Sequence, residues 1–87
     1  MSYTIKWSPK ANKKFLKLPK EQISRILEKL ELFKEDPFRY LEHFESEGVY
    51  KLRIGDYRAL VEVDFNEHIL WIMTFGHRGT VYKNFLF

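Results

Sequence analysis

Hydrophobic and polar positions change period as the chain proceeds, and each change marks an element. Tyr3, Ile5 and Trp7 alternate with Thr4, Lys6 and Ser8, the period-two signature of a short half-buried strand. Ser8-Pro9 follows, a hydroxyl suited to capping a helix and a proline suited to its first position. Beyond it Ala11, Phe15 and Leu18 recur at spacings of four and three, while Lys10, Lys13, Lys14 and Lys17 repeat on the opposite face. Pro19 ends that helix and opens a second over residues 20–34, with Ile23, Ile26, Leu27, Leu30 and Phe33 as its buried stripe and Asp36-Pro37 as its stop. Residues 35–48 hold Pro37, Gly48 and five acids and read as a loop.

Period two then returns. Val49–Ile54 and Tyr57–Asp64 flank Gly55-Asp56, a two-residue turn with glycine first, which predicts a type II′ hairpin. That turn sets a register: Ile54 opposite Tyr57, Arg53 opposite Arg58, Leu52 opposite Ala59, Tyr50 opposite Val61. The faces sort accordingly. Tyr50, Leu52, Ile54, Tyr57, Ala59, Val61 and Val63 fall on the expected core side, and Val49, Lys51, Arg53, Arg58, Leu60 and Glu62 on the other. Residues 68–75 are apolar on both faces and predict a central strand, turned back through Phe65-Asn66-Glu67. Its end then returns beside Tyr57 and Arg58, so Gly76-His77-Arg78 is expected next to Arg53 and Arg58. The tail 79–87 is expected to hold a turn of helix ahead of Phe85-Leu86-Phe87, which would either pack in the core or accept a partner. The expected fold is one α+β domain over residues 1–87, an N-terminal strand and helical hairpin packed on one face of a mainly antiparallel sheet.

Eighty-seven residues bury only about 60–65% of the unfolded surface, yet 45% hydrophobic and 17% aromatic content is enough for one core without staples. The absence of cysteine excludes a disulfide framework and a thiolate metal site. Residues 1–10 are too polar for a signal segment and no apolar run approaches ~18 residues, so a soluble cytoplasmic protein with no membrane partner is expected. Charge is unevenly placed within the net of +3: residues 1–20 carry +6, residues 21–47 carry −4 and residues 48–87 carry +1. Such segregation suits one surface turned toward an anion.

Arg53 opposite Arg58 breaks a local rule, since like charges facing across a sheet cost about 0.2–1 kcal/mol. Lys51 adds to the repulsion, and a phosphate among the three would convert it to charge-assisted hydrogen bonding. Alternatively, Glu62 and more distant acids neutralise an exposed face. Tyr82 can stack on an unpaired base or pack on the sheet; His77 can move a proton or stabilise its turn. The lysine stripe of the first helix is either solvated or a dock for nucleic-acid phosphates. His43 and His68 lack ligand spacing, so no metal is expected, and Glu42, Glu45 and Glu47 read as a solvated loop. There is no glycine-rich phosphate loop and no Ser-His-Asp arrangement.

The succession of strand, Leu18-Pro19-Lys20 hairpin, Lys51–Arg58 hairpin, apolar strand and Gly76-His77-Arg78 with Tyr82 resembles the RelE toxins of the RelE/ParE superfamily, especially the archaeal type, over essentially the whole chain. The resemblance implies a fold similar to microbial ribonucleases and cofactor-free, metal-free cleavage of mRNA in the ribosomal A site. The RNA 2′-OH would attack the adjacent phosphorus, leaving a 2′,3′-cyclic phosphate and a 5′-OH. It further implies that Lys51 transfers a proton, Arg58 binds the reacting phosphate, Arg78 stabilises charge in the transition state and Tyr82 stacks on the substrate. Arg53, His77, Lys10, Lys13, Lys14 and Lys17 are then candidate RNA and ribosome contacts. A neutral Lys51 requires neighbouring cations that lower its pKa, and Arg53 and Arg58 are expected there. No acid matches the carboxylate base of some relatives. The implied partners are a RelB-like antitoxin in a tight complex, the ribosome and mRNA, with operator DNA reached only through the antitoxin. A ParE-like gyrase inhibitor, or a toxin that docks on ribosomes without cutting, is the alternative.

Overall fold

The computed structural model describes residues 2–44 and 48–77. They form β1 (Thr4–Trp7), α1 (Pro9–Leu16), α2 (Lys20–Glu35), a 3-10 turn (Pro37–Arg39), β2 (Glu42–His43), β3 (Val49–Ile54), β4 (Tyr57–Asp64) and β5 (Ile69–His77). The strands make one sheet in the order β1-β5-β4-β3-β2, with β1 parallel to β5 and the other pairs antiparallel. This is the expected α+β arrangement. Ala11 and Phe15 of α1 and Ile26, Leu30 and Phe33 of α2 share one buried cluster with Leu52, Ile54, Ala59, Val61, Val63, Leu70, Ile72 and Phe75 of the sheet. Both helices therefore lie on a single face, called inner below.

Ser8 explains how β1 hands over to α1. Its Oγ accepts from the Ala11 N–H at 3.1 Å, capping the helix, and donates to the Met73 carbonyl at 2.8 Å. Met73 is the extra residue of a bulge, because Leu60 pairs with Thr74 while Val61 pairs with Ile72. The bulge shifts the parity of β5, so that Leu70, Ile72 and Phe75 all reach the inner core despite unequal spacing. One serine thus ties the helix start to the irregularity in the sheet.

The β3–β4 hairpin has the expected register throughout, from Val49 opposite Glu62 to Ile54 opposite Tyr57. Gly55 has φ +61°, whereas Asp56 is not among the positive-φ residues, the sign pattern of a type II′ turn. At the β4–β5 loop the Asp64 carboxylate accepts from the Asn66 and Glu67 N–H groups, and His68 takes the left-handed conformation with φ 56°.

Two expectations need correction. Leu27 is 47% exposed and lies outside the buried stripe of α2, where Ile26, Leu30 and Phe33 are buried against the core and Ile23 packs beside them. Residues 35–48 are not simply a loop: Pro37 is buried at the head of the 3-10 turn, and Glu42–His43 adds a fifth strand at the edge of β3. Two residues are too few for a periodic signal, and only their pairing with β3 makes them a strand. Leu60 lies on the outer face, as the alternation places it, and is fully buried there, flanked in register by Lys51 and Thr74.

Candidate functional site

The face of the sheet opposite the helices carries the chemistry. Alternation along β3 and β4 puts Lys51, Arg53 and Arg58 there, beside Leu60 and Thr74, and β1 adds Lys6, whose ammonium sits 5.5 Å from the Trp71 ring centroid. Lys51 is half-buried, with its ammonium 5.9 Å from the centre of the Phe44 ring.

Arg53 does face Arg58 in register, but the repulsion is relieved locally. Arg53 Nε bonds Glu42 Oε2 at 3.1 Å, in a pair that stays exposed. Arg58 folds the other way: its Nη1 donates to the Gly55 carbonyl at 2.7 Å and the Tyr57 carbonyl at 2.8 Å. Two facing arginines therefore do not by themselves require an anion. What they supply is a guanidinium braced on its own hairpin turn. Both of these bonds use Nη1, so among the described residues the Nε and Nη2 donors of Arg58 remain available to a planar acceptor.

Glu42 is the site residue that sequence reasoning missed. It stands directly opposite Lys51 and pairs with Arg53, so it belongs to the cationic face and not to a solvated loop. The available signal was weak, one acid of a cluster of three before the hairpin, and only the edge pairing selects it.

The end of β5 arrives where expected, with Gly76 opposite Arg58 and His77 opposite Tyr57. Parity separates the two: Gly76 lies on the outer face with Arg58, and His77 lies on the helix side, its ring edge-on to Tyr57 at 6.1 Å. The lysines of α1 are not part of this face either. Ala11 and Phe15 pack α1 on the inner side, so Lys10, Lys13, Lys14 and Lys17 belong to the helical layer, across the sheet from Lys51 and Arg58. Arg78 and Tyr82, Glu45 and Glu47, and the tail 79–87 fall outside the described residues. Among the described residues no group of three or more His, Cys, Asp or Glu side chains could hold a metal ion, and no helix is long and apolar enough to cross a membrane.

Topology and face together define an α+β domain in which a helical hairpin covers one side of a mixed sheet and basic residues occupy the other. A family model described as the ParE toxin of the type II toxin–antitoxin system parDE matches residues 3–82. No curated protein matches by sequence. The RelBE2 toxin–antitoxin complex of Mycobacterium tuberculosis is similar at TM-score 0.79 and 25% identity, over 90% of this chain and 100% of that one. The archaeal RelE–RelB complex of Pyrococcus horikoshii OT3 is similar at TM-score 0.76 and 26% identity, over 93% and 100%. The isolated E. coli RelE toxin shares the fold at TM-score 0.75 and 21% identity, over 98% and 96%. The chain belongs to the ParE toxin family of type II toxin–antitoxin systems, within the RelE/ParE superfamily.

Proposed function

We propose that this toxin is a metal-independent, ribosome-dependent endoribonuclease that cuts mRNA in the A site and so inhibits translation. The observation that carries the reading is the braced guanidinium of Arg58, set on the outer sheet face with Lys51 and Arg53. A fixed cation whose free donors point to one locus suits a charge that grows during reaction, because little reorganisation is left to do.

In the proposed reaction the 2′-oxygen attacks phosphorus and the bond to the 5′-oxygen breaks. The 2′-OH proton passes to a base on the protein, and the leaving 5′-oxygen gains a proton. Arg58 holds the non-bridging oxygens, with Arg53 in support, and Arg78 meets the added charge. Tyr82 stacks on a base and holds the nucleophile in line. Lys51 moves a proton. Glu42 gives this chain a second proton acceptor, since an ionised carboxylate can take a proton as it stands while an ammonium must first lose one. Requirement for a 2′-OH excludes DNA as substrate. His77 and Lys10, Lys13, Lys14 and Lys17 are proposed as contacts to RNA outside the reacting linkage.

The proposed partner is a RelB-like antitoxin, as in the complexes of the two similar proteins from M. tuberculosis and P. horikoshii. The proposed setting is the cytoplasm, with the toxin as a single domain.

Primer extension on translating ribosomes tests the activity. Codon-periodic cuts by the wild type that vanish in Arg58→Ala and Arg78→Ala support it. A second reading has one observation in its favour, the family model's own description as a ParE toxin. If no RNA is cut and DNA supercoiling is impaired instead, the gyrase-directed reading replaces the nuclease.

A further inference from the structure

The helix side of the hairpin tip holds a groove that the reaction above does not use. It encloses about 340 Å³ and is lined by Gln22, Arg25 and Lys29 from α2, Asp56 and Tyr57 from the β3–β4 turn, and His77 from the end of β5. That volume is within the range of small-ligand sites, about 300–1,000 Å³. Arg25 and Lys29 are one turn apart on α2, a like-charge spacing that is mildly destabilising in an isolated helix. Both are exposed, and among the described residues neither has an ion-pair partner, although Lys34 further along α2 is paired with Glu31. The acid of the groove is Asp56, against two permanent cations.

The position of the groove matters as much as its charge. Gly55 and Tyr57, whose carbonyls hold Arg58 from the outer face, also line the groove from the inner one. Gly76 and His77, adjacent in β5, point to the two sides in turn. A chain gripped by Arg58 can therefore pass over the hairpin tip and enter the groove without leaving the protein surface. At its entrance Tyr57 lies flat on Phe75, at 5.4 Å and 11°, with His77 edge-on. Phe75 itself is buried, so Tyr57 and His77 are the rings of the groove on which an unpaired base would stack.

We infer that this groove is a second phosphate subsite, which takes the backbone of single-stranded RNA beyond the linkage held on the outer face. The inference rests on the endoribonuclease reading, but its test can fail separately. The full chain would be titrated with 2′-O-methyl RNA, which it cannot cleave, in lengths of about three and about nine nucleotides, the first shorter than a typical single-strand site and the second within its range. In R25Q/K29Q the longer RNA should bind about tenfold more weakly, with the slope of log K against log salt reduced by about one, while the short RNA is unaffected. D56N, which removes the groove's acid, should tighten the longer RNA and leave the short one unchanged; it keeps the proposal open to refutation should the double variant fold poorly. Equal losses at both lengths, no loss at all, or a groove that takes an acidic peptide but not RNA would each overturn it. Loss of short-RNA binding in Arg58→Ala reports on the outer face alone, so failure of the groove and failure of the nuclease reading remain distinguishable.

Discussion

The two faces of the sheet come from the same strands and do opposite work. On the inner face Leu52, Ile54, Ala59, Val61, Ile72 and Phe75 are almost wholly buried, and each is held by neighbours from the helical hairpin or the adjacent strand. On the outer face Arg53 and Arg58 face each other in register and, among the described residues, are steadied by Glu42 and the turn carbonyls. The inner face determines whether the domain folds. The outer face is built from groups that a purely stabilising design would omit, and the toxin's chemistry is expected there.

If that division holds, substitutions should separate cleanly. Phe75→Ala, which opens a cavity where Trp7, Phe15 and Tyr57 meet, should cost about 3–5 kcal/mol in denaturant unfolding. Against a total of about 5–15 kcal/mol that is enough to unfold much of the population, and a loss below about 1 kcal/mol would contradict the packing described. Arg58→Ala should lower A-site cleavage by about a hundredfold or more while leaving the domain folded. Should its unfolding midpoint drop as far as that of Phe75→Ala, the faces are not functionally divided.

Smaller effects sharpen the picture at the joints between the faces. Ser8→Ala removes the cap of α1 and leaves the bulge carbonyl of Met73 without its donor, so about 1–2 kcal/mol should be lost. An unchanged thermal midpoint would show that the bulge does not depend on Ser8. Gly55→Ala forces a side chain into φ +61° and should cost about 1 kcal/mol, with open space around it and hence no added clash. Glu42→Gln breaks an exposed ion pair worth at most about 1 kcal/mol, so stability should barely change. RNA affinity should rise as Arg53 is released; weaker RNA binding would mean that Glu42 holds Arg53 in its working position.

The hairpin was legible because its information is local. A glycine at the first turn position and strict alternation on either side fix which residue faces which, and the β3–β4 register holds at each pair from Val49 opposite Glu62 to Ile54 opposite Tyr57. Helix α1 was legible for the same reason, with a serine cap, a proline and a lysine-rich outer face within one short segment. Glu42 was not, because β2 exists only as an edge pairing to β3 and has no pattern of its own. Leu60 shows the limit of the pattern: alternation gives its side of the sheet correctly but cannot say what covers it.

By itself the sequence determined the identity and order of the main elements, the pairing of β3 with β4, and the presence of basic residues on the side of that hairpin away from the core. Turn chemistry and hydrophobic period act over a few residues, so they survive in a linear string. Only the tertiary structure decided that a bulge at Met73 resets the parity of β5, that His77 and the lysines of α1 lie across the sheet from Arg58, and that Glu42 joins the cationic face. Those outcomes depend on contacts between distant segments, whose energies are set by the assembled sheet as a whole and leave no periodic trace in any one stretch of chain.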